Sequence, residues 1–153
     1  TLDNKEQVAL DFYNDTYFSD QNACTSPRIV FWNGTHIEEA KKQFWMYLSE
    51  LVDQRYNLAP VQAVGKWDAL CLAAINNNCS LIRDDFGLNI MRLKVKELST
   101  DLLKYEYHSG FFFEYDLTQT DDIIPGKMSD ISVFRRHEKG NSNVFDQSWR
   151  PWC

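Results

Sequence analysis

The run Gly110-Phe111-Phe112-Phe113-Glu114-Tyr115-Asp116-Leu117 constrains this chain more than any other stretch. Side chains alternate from face to face along a strand, so three consecutive phenylalanines put large apolar rings on both sides. A strand of that kind needs cover on both faces. Arg28-Ile29-Val30-Phe31-Trp32 predicts another short buried strand, ended by the turn pair Asn33-Gly34. Ile90 to Val95 alternates apolar and basic residues, as a half-buried strand does, and Ile131 to Phe134 predicts a further strand.

Between these strands the apolar spacing is helical. From Lys5 to about Thr16, Val8, Ala9, Phe12 and Tyr13 share one face. Thr35 and Glu38 form a capping box, in which hydroxyl and carboxylate each satisfy an amide at the helix start. The helix they open runs to about Tyr56, with Ile37, Ala40, Phe44, Leu48, Leu51 and Val52 inward. A further helix begins near Pro60, with Val61, Val64, Leu70, Cys71 and Ala74 inward, and ends in the run Asn76-Asn77-Asn78. On this placement Cys71 is a core thiol. Asp121 to Ile124 predicts a short helical turn before Pro125-Gly126. Helices followed by strands, with a strand also near the start, point to an α/β layer arrangement.

The 153 residues suit one domain, and 44% apolar content with many aromatics argues against disorder. A net charge of −6 with scattered basic residues excludes the positive stripe that nucleic acid requires. No run approaches the roughly 20 apolar residues of a membrane span. The chain opens at Thr1, without an initiator Met or a signal-peptide pattern, so either something is removed before Thr1 or the chain is a piece of a longer one.

Cys24, Cys71, Cys79 and Cys153 permit two disulfides in three pairings, and three N-x-[ST] triplets start at Asn14, Asn33 and Asn78. Together they define one alternative, a secreted, disulfide-bonded and glycosylated binding module without catalysis. No cysteine or histidine cluster has zinc-ligand spacing, and no metal site is expected. Glycine-rich phosphate loops and a GxSxG elbow are absent, while His36, His108 and His137 lie far apart. Asp84-Asp85 and Asp121-Asp122 are adjacent pairs whose side chains diverge. Cys24 remains, on the connection between a helix and a buried strand, among Gln21, Asn22, Thr25 and Ser26. A polar loop leaves a thiol reachable, and its backbone amides can stabilise an oxyanion.

The stretch ALDFYNDTYFSDQNACTSPRIVFWNG, residues 9 to 34, resembles the LuxC-type acyl-CoA reductases, the fatty-acid reductases of bacterial bioluminescence operons and their relatives. EEAKKQFWMYLSEL, AVGKWDALCLAA and GFFFEYDL continue the resemblance in order, over roughly residues 1 to 125. The family belongs to the aldehyde dehydrogenase superfamily, in which a glutamine shortly precedes the nucleophilic cysteine. Here the spacing is Gln21-Asn22-Ala23-Cys24, one residue longer than the usual Gln-x-Cys. From about residue 135 the chain matches nothing in the family.

The resemblance implies a partial aldehyde-dehydrogenase-like α/β fold, a three-layer catalytic-domain region with strands flanked by helices. It divides the chain into a catalytic portion, residues 1–130, and a divergent tail, residues 131–153, with the dinucleotide-binding domain largely absent. It implies reduction of a long-chain acyl-CoA, or a related acyl thioester, to the fatty aldehyde with NADPH bound mostly outside this chain. Cys24 would be the nucleophile, the Thr25 backbone amide an oxyanion donor, and Glu106 a cofactor-binding carboxylate on the nicotinamide ribose. Gln21 and Arg28 would shape the loop and strand. A cytoplasmic location, and a homo-oligomer or an acyl-transferase or synthetase partner, also follow from the resemblance. A third expectation is a folded scaffold fragment without catalysis.

Overall fold

A computed structural model describes residues 3–33, 37–76, 79–117, 131–139 and 142–146, the last two stretches as backbone. In chain order the elements are α1 (Asp3–Tyr17), β1 (Ile29–Asn33), α2 (Ile37–Arg55), α3 (Pro60–Asn76), β2 (Cys79–Leu81), β3 (Met91–Val95), a 3-10 helix (Thr100–Tyr105), β4 (Phe111–Asp116), β5 (Ile131–Lys139) and β6 (Ser142–Asp146). The strands form one mixed sheet in the order β2-β3-β4-β1-β5-β6. β1, β3, β4 and β5 run parallel, and β2 and β6 pair antiparallel at the two edges. Ile29 lies between Phe113 of β4 and Ile131 of β5, so the stretch from residue 131 joins the same sheet as β1.

The phenylalanine run accounts for the layering. Phe112 joins Val30 and Trp32 of β1 in a core with Phe12 of α1 and Phe44, Trp45 and Leu48 of α2. Phe111 and Phe113 point the other way, into a core with Ile29, Phe31, Leu93, Leu102 and Ala69, Leu70 and Ala73 of α3. The architecture is therefore mixed α/β with helices on both faces of the sheet. On the first face Phe12 meets Phe44 edge-on at 5.2 Å and Phe112 lies 5.4 Å from Trp45. Each fully buried ring of this size contributes roughly 1.5–3 kcal/mol.

Two expectations are corrected. Cys71, Val61, Val64 and Ala74 are exposed; α3 instead buries Lys66, Ala69, Leu70 and Ala73. The helix is apolar nearly all round, so periodicity could not choose its inner face. The small side chains of Ala69 and Ala73 occupy the inward face, and Trp67, Leu72 and Ile75 face outward. Arg92, expected on the open side of β3, is also buried. Its guanidinium bonds Glu114 at 2.8 Å and Asp84 at 3.0 Å, and lies over the rings of Trp45 and Phe86. Trp32 Nε1 donates to the other Glu114 oxygen at 2.8 Å. Burial pushes the Glu114 carboxyl up, against the pull of Arg92. The Thr35–Glu38 capping box, the Asn33-Gly34 turn, the Asn77-Asn78 run, the 121–124 turn, His36 and Cys153 fall wholly or partly outside the described residues.

The corrected face of α3 is testable by chemical denaturation. Leu72→Gln and Cys71→Ser are expected to change stability by less than about 0.5 kcal/mol, whereas Leu70→Ala should cost about 2–5 kcal/mol. Equal costs at Leu70 and Leu72 would contradict the orientation.

Candidate functional site

The turn carrying Cys24 begins where α1 stops. Asp20 and Gln21 take left-handed backbone angles, φ 56° and φ 59°, which no helix continues. The Gln21 amide donates back to the Thr16 carbonyl at 2.6 Å, closing the helix end. The cost of these conformations, about 1–3 kcal/mol each, is offset by what the side chains then reach.

Gln21 is fully buried, and both ends of its carboxamide are engaged. Nε2 donates to the carbonyls of Pro27 at 2.7 Å and Phe111 at 3.0 Å. Oε1 accepts from the amides of Gly110 at 2.9 Å and Phe111 at 3.1 Å. Both donors and both lone pairs are thus used. On the other side of the turn, buried Ser26 donates from Oγ to the Asp15 carbonyl at 2.8 Å, and its amide donates to Ala23 at 3.0 Å. Asn22, Cys24 and Thr25 are exposed between these anchors. Among the described residues no main-chain acceptor engages the amides of Cys24 and Thr25.

Arg28 joins the turn to the segment before β4. Its Nη2 donates to the Gln21 carbonyl and its Nη1 to the Tyr107 carbonyl, both at 3.1 Å. Its Nε pairs with Glu106 at 3.2 Å. Arg28 therefore ties Gln21, at the start of the Cys24 turn, to Glu106 at the end of the sheet where β1, β3 and β4 begin. Glu106 is engaged by Arg28 there. His108 stacks on Tyr107 at 4.1 Å. Cys71 lies on the outer face of α3, apart from this group, and burial pushes the thiol of Cys79 up. Asn14 and Thr16, of the first N-x-[ST] triplet, lie within α1, with Thr16 buried.

Beneath the turn lies a cluster that motif reading missed. Asp20 accepts from the hydroxyls of Ser109, at 3.0 Å, and Tyr56, and from the Gln62 amide. Ser109 is itself left-handed, φ 63°. Lys66, fully buried, donates to the carbonyls of Ser109 at 2.7 Å, Leu88 at 2.5 Å and Asn89 at 3.3 Å. Tyr17 adds its hydroxyl to Asn89 at 3.0 Å. Gly110 sits so close to Asn89 O and the Tyr17 hydroxyl that a Cβ there would collide with both. Burial lowers the Lys66 amine to about 7, with Asp20 pulling the other way. Burial and the bond to Asp20 push the Tyr56 phenol up to about 12. The sequence signal for Lys66 was available: it is the only basic residue in α3, and it shares a face with Leu70 and Ala73.

At the opposite end of these strands, Asp116 pairs with Lys41 at 2.5 Å and Lys94 at 2.6 Å. Burial alone would raise its carboxyl, but the two amines hold it below its ordinary range. Among the described residues, no three His, Cys, Asp or Glu side chains gather as metal ligands, and no helix is long and apolar enough to cross a membrane. Comparison with protein-family models, with curated proteins and with solved structures finds no match.

Lys66 gives a pH dependence with a defined sign. Its amine titrates near 7 when folded and near 10.5 when unfolded, so the unfolded chain binds the extra proton between those values. Stability from this group therefore rises from about pH 7 toward 10.5 and is flat below 7. The urea midpoint should climb between about pH 7 and pH 9, and the climb should flatten in Lys66→Met. A midpoint independent of pH in the unaltered chain would contradict the burial of Lys66.

Proposed function

We propose that Cys24 is the acyl-accepting thiol of an acyl-CoA reductase with an aldehyde-dehydrogenase-like catalytic region. The observation that supports this reading is the presentation of the thiol: exposed, yet on a turn pinned by buried Gln21 on one side and buried Ser26 on the other. A thiol held still in solvent reach avoids much of the entropy cost of meeting an acyl group.

In the step assigned to this chain, the Cys24 thiolate attacks the carbonyl carbon of an acyl thioester. The new C–S bond forms, the bond to coenzyme A breaks, and the departing thiolate takes up a proton. Negative charge gathers on the carbonyl oxygen as the sulfur adds, and the amides of Cys24 and Thr25 are the donors nearest to hand. The product is a thioester on Cys24, a good leaving group for whatever follows.

The second half of such a reaction takes hydride from NADPH. Glu106 was the cofactor residue expected from sequence, but its carboxylate is held by Arg28. Engaged in that ion pair, Glu106 does not by itself make a dinucleotide site.

Incubation with radiolabelled long-chain acyl-CoA should label the chain at Cys24, with the label released by hydroxylamine. Cys24→Ala should reduce labelling at least tenfold and leave the circular dichroism spectrum unchanged. Labelling that persists in Cys24→Ala, or fails in the unaltered chain, would overturn the assignment. The chain alone is expected to oxidise no NADPH during acylation, and aldehyde release by it would overturn the separation of the two half-reactions.

A further inference from the structure

We propose that Lys66 is a positioning residue for Cys24, tying the turns that open β3 and β4 to the thiol-bearing turn. Its significance for acyl transfer rests on the function proposed for Cys24, whereas the coupling itself is measurable without any acyl donor.

The connection is continuous. Lys66 Nζ joins Leu88 and Asn89, just before β3, to Ser109, just before β4. The Ser109 amide and hydroxyl both donate to Asp20, and the next two amides, Gly110 and Phe111, donate to Gln21. Asp20 and Gln21 are the residues whose left-handed backbone starts the Cys24 turn. Weakening the Lys66–Ser109 bond therefore acts on the turn through Asp20 and Gln21.

An ammonium group has three protons for three carbonyls, whereas a neutral amine has two. Protonated Lys66 can satisfy all three carbonyls, and loss of the proton releases one. The release falls on Asn89, the longest of the three contacts and the one that retains the Tyr17 hydroxyl, while the bonds to Leu88 and Ser109 persist but change from charge-assisted to neutral, about half as strong. The titratable groups joined to this network are Asp20 on the thiol turn, Tyr17 on α1, and Asp53 and Tyr56 at the end of α2, with Tyr107 before β4 packed against Gly65 of α3. Asp20 is the carboxylate that acts on the amine directly, and it favours the proton. Global stability and local order then move oppositely as the proton leaves. The fold loses a buried charge, and the turn is tied through a weaker bond.

Iodoacetamide reactivity of Cys24, read by peptide mass from pH 5.5 to 9.5, separates this role from mere packing. The unaltered chain should show an inflection near pH 7 absent from the Lys66 variants, with a rate change of about fivefold, the factor for a charge-assisted bond made neutral. Lys66→Met should lose that inflection. Lys66→Arg, which keeps its charge throughout, should also lose it but retain the low-pH rate within about twofold. Should the variants fail to fold, hydrogen exchange of the Ser109, Gly110 and Phe111 amides in the unaltered chain provides the same test. After correction for intrinsic exchange, their protection should fall about fivefold across pH 7. Identical alkylation profiles in the unaltered chain and Lys66→Met, or flat protection of these amides, would overturn the proposal. If the coupling is present while acyl labelling fails, only the function of Cys24 is overturned.

Discussion

The carboxamide of Gln21 holds the end of α1 to the beginning of β4. It is buried and makes four hydrogen bonds to main-chain groups of Pro27, Gly110 and Phe111. Without it those groups would be buried and unpaired, each costing about 1–3 kcal/mol. The same bonds extend the pairing of β1 with β4 upstream, because Phe113 already donates to Arg28 at 2.9 Å where β1 begins. Asp20 and Gln21 can hold left-handed angles because this network over-determines them. The exposed turn that follows therefore takes its shape from buried contacts on either side of it.

Packing on the two faces of the sheet explains where that turn lies. Phe112 and Trp32 hold α1 and α2 on one face, while Phe111, Phe113 and Phe31 hold α3 on the other. α1 leads into β1 through the Cys24 turn, and α3 brings Lys66 to the same end of the strands. Lys66 reaches main-chain carbonyls rather than a carboxylate partner, so its charge is costly to bury and its amine is depressed. Polar groups are thus concentrated below an otherwise plain loop.

Much of this was legible in the residues. The phenylalanine run announced a strand covered on both faces, and the spacing of Phe44, Leu48 and Val52 identified the inner face of α2. Gln21 and Arg28 were expected to shape the loop, and their hydrogen bonds do so. The inner face of α3 was not legible, because apolar side chains surround that helix and only tertiary contact with the sheet selects Ala69 and Ala73. Arg92 was read as outward because alternation ordinarily turns a charge to solvent. A carboxylate on the neighbouring strand, Glu114, gave it a buried partner that no local pattern encodes. The link from Lys66 to Ser109 spans α3 and the start of β4, so it exists only once the sheet is assembled.

The account rests most heavily on Gln21 as the fastening between the thiol turn and β4. Gln21→Leu preserves most of the side-chain volume while removing all four hydrogen bonds, and urea denaturation at neutral pH reads the consequence. A loss of at least about 4 kcal/mol is predicted, from four buried main-chain groups left unpaired at about 1–3 kcal/mol each. A change below about 0.5 kcal/mol, the range of an ordinary surface substitution, would contradict it.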